Sequence, residues 1–174
     1  ILIIISPFKV LALIEVDITR GNLDPLPIAI SPLHVDIKST DIKELKIILN
    51  KYCNRYIWAD RETPEFDIVE SFNIQHYPPG GGFKSWHYEQ SFLPDAVKRN
   101  HHKRHLVFMT YLNDVDDGGQ TQFLYQEKEV QPKKGLTVLW PTDFTHTHRG
   151  VTSPTQTKMI ATGWYNFHQN PRHF

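Results

Sequence analysis

The chain has 174 residues, 40% of them hydrophobic and 22% charged, an ordinary globular composition that excludes a disordered chain and suits one compact domain. Lys and Arg together number 19 and Asp and Glu 19, so the formal net charge is zero, which argues against a protein whose main task is to coat nucleic acid or an anionic membrane. Cys53 is the only cysteine; this excludes intramolecular disulfides and a thiolate-rich zinc site, and it fits a reducing, cytoplasmic setting.

The apolar opening, Ile1 to Lys9, has neither the basic start nor the small-residue cleavage site of a signal peptide, and it is too short to span a bilayer. It reads as a buried strand. Residues 1 to 36 alternate apolar runs with turn signals such as Arg20-Gly21-Asn22 and Asp24-Pro25, the pattern of strands and loops. Residues 39 to 55 read as a helix, with Ser39, Thr40 or Asp41 as cap and Ile42, Leu45, Ile48 and Leu49 as an apolar stripe. From residue 66 onward the pattern is strand after strand: Phe66–Tyr77, His105–Asn113, Thr121–Gln126, Leu136–Trp140 and Lys158–Phe167. Pro- or Gly-containing loops separate them at 78–82, 116–119, 132–135 and 150–154. Many short strands after one or two helices predict a mostly β (α+β) fold, a jelly roll or double-stranded β-helix with N-terminal support helices. The predicted organisation is a single domain over residues 1–174, with strands and a support helix in 1–65 and the jelly-roll core in 66–168. Such a core brings side chains from several strands into one open-ended cavity.

A metal site needs that convergence. In an extended chain, residues two apart share a face, so His87 and Glu89 in Trp86-His87-Tyr88-Glu89 project together. One imidazole and one carboxylate are two of the three ligands of a facial triad. The H-x-E spacing alone does not separate this from a surface His and Glu at a strand end. A second imidazole has to come from a distant strand, and both His146 and His148 in Thr145-His-Thr-His-Arg-Gly150 have the spacing to face inward. His101, His102 and His105 belong to the basic run Lys98–His105, which reads as a solvated loop, and His168 and His173 to a polar tail. In the strand from Lys158 to Trp164, Lys158, Ile160, Thr162 and Trp164 share one face, while Met159, Ala161 and Tyr165 make the other face apolar too. A strand apolar on both faces is buried on both. An ammonium carried indoors costs several kcal/mol unless it is paired, and a bound dicarboxylate would pair it. The alternative places Lys158 at the strand's exposed start.

The stretch from Tyr77 to Trp164 resembles the catalytic domain of prolyl 4-hydroxylase-type Fe(II)/2-oxoglutarate-dependent oxygenases. The resemblance rests on Tyr77-Pro-Pro-Gly80 leading to His87-Tyr88-Glu89, and on Tyr111-Leu-Asn-Asp114 followed by Gly118-Gly-Gln-Thr121-Gln-Phe123. It is completed by His148-Arg-Gly150, with Lys158 ten residues on and Trp164 six beyond that. The resemblance implies that His87, Glu89 and His148 bind iron, with His146 orienting a ligand by hydrogen bond. It implies that Lys158 pairs with the distal carboxylate of 2-oxoglutarate, that Tyr111 hydrogen-bonds the same group, and that Tyr77, Thr121 and Trp164 line the cosubstrate pocket. The implied cofactors are Fe(II), 2-oxoglutarate and O2, with ascorbate as a further candidate. The family usually carries Asp where Glu89 stands, and the extra methylene moves the carboxylate by about 1 Å.

The activity this implies is hydroxylation of an unactivated C–H, with a prolyl residue of a peptide or protein as the expected substrate. A Pro-rich segment would suit an open groove lined by aromatics such as Trp86 and Trp164. The alternatives are another protein side chain, a small molecule or nucleic acid, a cupin-type metalloprotein that needs no 2-oxoglutarate, and a silent binding module. Lys158 speaks against the cupin; Glu89 is the one feature that favours the silent module. Neither a membrane nor a nucleic-acid partner is expected. The basic run Lys98–His105 also lies where a mobile lid could sit.

Overall fold

The computed structural model describes residues 2–5, 12–14 and 39–168; the other N-terminal strand and loop expectations, and His173, lie outside these. Two β-sheets face each other. The larger holds β1 (Leu2–Ile5), β2 (Ala12–Ile14), β3 (Phe66–Asp67), β4 (Asn73–Tyr77), β5 (Arg104–Tyr111), β8 (Thr137–Pro141) and β10 (Lys158–Phe167), in the order β2-β1-β8-β5-β10-β3, with β4 also on β10. The smaller runs β7-β6-β9, from β7 (Lys128–Val130), β6 (Thr121–Phe123) and β9 (His148–Gly150). The pairings are antiparallel throughout. This is the mostly β, jelly-roll-like architecture that the strand pattern predicts.

The helix α1 (Ser39–Arg55) has the bounds read from its apolar stripe. Ile48, Tyr52 and Cys53 bury against Leu106, Phe108, Leu139 and Tyr165, with Leu45 and Leu49 partly buried beside them. A second core lies between the sheets and contains Tyr77, Val107, Met109, Tyr111, Phe123, Val138, Trp140 and Ile160. β5 therefore feeds both cores by simple alternation: Leu106 and Phe108 face the helix, Val107, Met109 and Tyr111 the inter-sheet space. β10 does the same, so Lys158, Ile160, Thr162 and Trp164 share the inner face, as their spacing predicts.

Three sequence expectations need correction. The run Phe66–Tyr77 is two strands, not one. β4 pairs with the start of β10 (Tyr77 opposite Lys158, Asn73 opposite Thr162) and β3 with its end (Phe66 opposite Phe167). Asp67 accepts the Ile68 N–H at 2.8 Å in between, which turns the chain off the ladder. His87–Glu89 lies on no strand: a single bridge joins His87 to His148, with N–H···O distances of 3.0 and 2.8 Å, after which Glu89 and Gln90 turn to the Thr142 carbonyl. The basic run is not one solvated loop. Lys98, Arg99 and Asn100 are exposed, but His102 and Arg104 are buried, because β5 begins at Arg104 and draws it into the sheet.

Gly163 shows how tightly β10 is packed. A Cβ there would lie 2.6 Å from Phe108 Cζ and 2.7 Å from Phe72 Cβ, inside the core. Gly163→Ala is expected to cost about 1–3 kcal/mol by overpacking, read as a lower urea midpoint at unchanged slope; an unchanged midpoint would show that the β5–β10 layer can yield.

Candidate metal centre

His87, Glu89 and His148 meet where β9 bridges the loop that follows β4. Their ligand atoms all lie within 4.8 Å of one another, and among the described residues this is the cluster of histidine and acidic groups with that geometry. Glu89 Oε1 stands 3.2 Å from His87 Nε2 and 3.6 Å from His148 Nε2. Both imidazoles are oriented from behind. His87 Nδ1 lies 2.9 Å from the Ser85 carbonyl and His148 Nδ1 2.9 Å from the His146 carbonyl. A carbonyl can only accept, so each Nδ1 carries a proton, and on the neutral ring Nε2 then turns a lone pair to the centre.

Burial, and after it the neighbouring His87, push the His148 imidazole below its ordinary pKa. Burial also opposes the charge on Glu89, but the facing His148 and His87 rings, which donate and carry charge when protonated, outweigh it and hold the carboxyl well below the usual range. A carboxylate that stays charged thus faces imidazoles of which one resists protonation. Three acceptors converging in this way call for a cation between them. Two nitrogens and one oxygen are the donor set of a facial triad, and ligands at adjacent octahedral positions with bonds near 2.1 Å lie about 3 Å apart. The donor set fits a divalent metal.

The sequence left His146 and His148 open as alternatives by spacing; the structure brings His148 to the centre. His146 is buried, its Nδ1 lies 2.9 Å from Thr145 Oγ1, and its main-chain carbonyl, not its ring, is what orients His148. Burial drops the His146 imidazole to about 3, so it stays neutral.

A cavity of about 240 Å³ opens onto the three residues and is also lined by Tyr77, Thr121, Lys158 and Trp164. Lys158 is 6% exposed, which decides between its two sequence readings. Its Nζ lies 5.5 Å from the centre of the Tyr111 ring, and no acidic group among the described residues pairs with it. Burial alone brings the ammonium down to about 8. Tyr111 is fully buried, and its hydroxyl donates to Thr121 Oγ1 at 2.7 Å, so Thr121 rather than Tyr111 forms the cavity wall. Burial, with a smaller push from Glu89, lifts the Tyr77 phenol to about 12, and its hydroxyl donates to Gln75 Oε1.

Arg104 and Arg149 also line the cavity, and the sequence reading assigned neither to it. Arg104 Nη1 is 3.1 Å from Glu89 Oε2 and 3.2 Å from the Glu89 carbonyl, with the guanidinium 3.5 Å over the Trp164 ring. The available signal was its place immediately before the apolar run His105–Asn113. Arg149 donates to Gln122 at 2.7 Å and stacks 4.4 Å over Trp86; its adjacency to His148 was the hint.

The 2OG-Fe(II) oxygenase superfamily profile matches residues 72–166. Among solved structures, the chain is similar to a viral collagen prolyl hydroxylase from Paramecium Bursaria Chlorella virus-1, solved with 2OG, at 20% identity and a TM-score of 0.59, over 78% of this chain and 77% of that one. It is also similar to a prolyl-4-hydroxylase from Pseudomonas putida, at 19% identity and a TM-score of 0.55, over 84% and 78%. These likenesses establish the fold. A 41-residue stretch is 68% identical to the Tol-Pal system protein TolB of Pelagibacter ubique (strain HTCC1062); the match covers 24% of this chain and 9%, under a tenth, of that protein's length.

The unpaired ammonium has a consequence for stability. With a folded pKa of about 8 against about 10.4 unfolded, the folded chain holds this proton less tightly. The burial cost is then fully present below pH 8 and fades as pH rises through 10. Lys158→Met is expected to raise stability at pH 7 by about 1–3 kcal/mol, the gain shrinking toward pH 10. Urea denaturation of both proteins at several pH values checks it, and a gain independent of pH would refute the cause given.

Proposed function

This chain belongs to the 2OG-Fe(II) oxygenase superfamily, and on that premise we propose that His87, Glu89 and His148 hold the iron and that Lys158 anchors 2-oxoglutarate for hydroxylation of a prolyl residue in a peptide or protein. The enzyme class is that of a 2-oxoglutarate-dependent dioxygenase, with Fe(II), 2-oxoglutarate and O2 as its requirements. Bound among the three acceptors, Fe(II) supplies the activation of O2 that couples decarboxylation of 2-oxoglutarate, to succinate and CO2, with hydroxylation of a C–H bond.

The observation that carries the reading is Lys158, a buried ammonium without an acidic partner among the described residues, in the same cavity as a converging acceptor triad. Its desolvation is uncompensated until a carboxylate arrives, and a charge-assisted pair formed there is strong. A carboxylate at Lys158 and chelating oxygens at the metal are the two ends of a 2-oxo diacid. Tyr77 and Thr121 would wall it, with Tyr111 held behind Thr121 as a support. His87 and His148 keep their Nε2 atoms presented because each Nδ1 is tied to a carbonyl.

The prolyl substrate rests on less. The two solved relatives are named as hydroxylases of proline, and Trp164 lines the cavity while Tyr88 stands half exposed between His87 and Glu89. Aromatic surface of this kind suits an extended Pro-rich segment. A single domain is part of the proposal, as is a cytoplasmic setting, which rests on the unpaired Cys53. Among the described residues no helix is long and apolar enough to cross a membrane.

Succinate release from 2-oxoglutarate with added Fe(II), with ascorbate as reductant, tests the assignment. The parent should release succinate and Glu89→Ala should not. Lys158→Ala should weaken 2-oxoglutarate binding by at least about tenfold, the order expected for a buried charge-assisted pair. Unchanged affinity in Lys158→Ala would remove the anchor from the proposal. For the substrate, Pro-containing peptides incubated with the enzyme should gain one oxygen by mass spectrometry. Gain only on another side chain, a small molecule or a nucleic acid would discard the prolyl reading and leave the oxygenase class standing.

A further inference from the structure

Glu89 carries one methylene more than the aspartate usual at this place, and its two oxygens face different surroundings. Oε1 faces the imidazoles at 3.2 and 3.6 Å. Oε2 points away from them and accepts from Arg104 Nη1 at 3.1 Å and from Trp164 Nε1 at 3.2 Å. The same Arg104 nitrogen also donates to the Glu89 main-chain carbonyl at 3.2 Å. One guanidinium nitrogen thus joins the far end of the Glu89 side chain to that residue's own backbone, which requires the side chain to fold back. The donor is itself held: Arg104 is 8% exposed and its guanidinium lies 3.5 Å over the Trp164 ring, so the ring and the N–H of one tryptophan hold both members of the pair.

The geometry points to Arg104 and Trp164 as positioning residues that fold Glu89 back and present only its Oε1 to the metal, which lets the longer carboxylate serve where aspartate is usual. The idea rests on the metal-site reading above. A glutamate has one more rotatable bond than an aspartate, and that freedom opposes ligation unless it is removed beforehand. Two donors on Oε2 remove it. They also balance the charge of the carboxylate on the side away from the metal, and they occupy the oxygen that could otherwise swing into a second coordination position.

Calorimetric titration of Co(II) into the full chain, then of 2-oxoglutarate into the Co(II)-loaded protein, tests this without turnover. Arg104→Gln should lower Co(II) affinity about 10- to 100-fold, the range for loss of a group that orients a ligand. Arg104→Lys keeps the charge but lacks the planar fork, and should recover only part of the loss. In a Glu89→Asp background the shorter carboxylate cannot reach Arg104 while it ligates, so Arg104→Gln should there cost less than about threefold. An equal loss in both backgrounds, or none in the parent, would overturn the inference. Trp164→Phe removes one N–H and keeps the ring over Arg104; it should lower Co(II) affinity about 2- to 10-fold, and it decides the matter if Arg104→Gln does not fold. A parent that binds no Co(II) would overturn the metal site and this inference with it, whereas Co(II) binding that both variants leave unchanged would overturn only the positioning role.

Discussion

Two imidazole nitrogens and a carboxylate oxygen, each presenting a lone pair, face one another within 4.8 Å. Left alone, such a group would separate, because acceptors repel and buried acceptors without donors are costly. The scaffold holds them together from the outside. Two main-chain carbonyls fix the imidazole rings, two donors fix the far oxygen of the carboxylate, and reciprocal hydrogen bonds lock His87 to His148 along the backbone. The order around the centre is therefore set by groups that never touch its middle.

The strand β10 does much of the remaining positioning. It lies between β5 on one side and β3 and β4 on the other, with side chains packed on both faces. Its outer face, through Tyr165, closes on α1, and its inner face carries Lys158, Thr162 and Trp164 into the cavity. Because register in an antiparallel ladder cannot slip by one residue without inverting every side chain, the same pairing that buries the core also sets where the ammonium sits. Tyr77 and Lys158 are direct cross-strand partners, so the loop that leads to His87 starts beside the proposed anchor of the cosubstrate.

Charge is distributed within the cavity in a complementary way. Arg104 balances the carboxylate from behind; Lys158 has no such partner among the described residues and is the group whose charge a ligand would satisfy. Arg149, braced by Gln122 and stacked on Trp86, adds a third cation to the lining. A chain with no net charge thus carries a locally cationic pocket around one carboxylate, an arrangement suited to an anionic cosubstrate.

Much of this was legible in the residue order. Period-two alternation told which residues of Lys158–Trp164 share a face, helical spacing gave α1 its bounds, and the H-x-E pair with a later histidine and lysine marked the centre. Those are local regularities of the chain, and local geometry obeys them. Alternation alone left His146 and His148 open, because both satisfy it, and the resemblance chose His148 by its ten-residue distance to Lys158; the β6–β9 ladder and the bridge to His87 bring that residue to the centre. Nor could it separate Arg104 from the basic residues around it. Composition suggested a solvated run, but burial depends on where β5 enters the sheet, and that is settled by pairing with β8 and β10, whose partner residues lie 27 to 62 positions away in the chain. Tyr111 shows the same division: its motif was readable, yet the direction of its hydroxyl followed from the packing of Thr121 opposite. The sequence by itself determined the kinds of groups present and their faces; the tertiary structure alone decided which of them meet, because meeting is a property of long-range pairing and packing that no local spacing encodes.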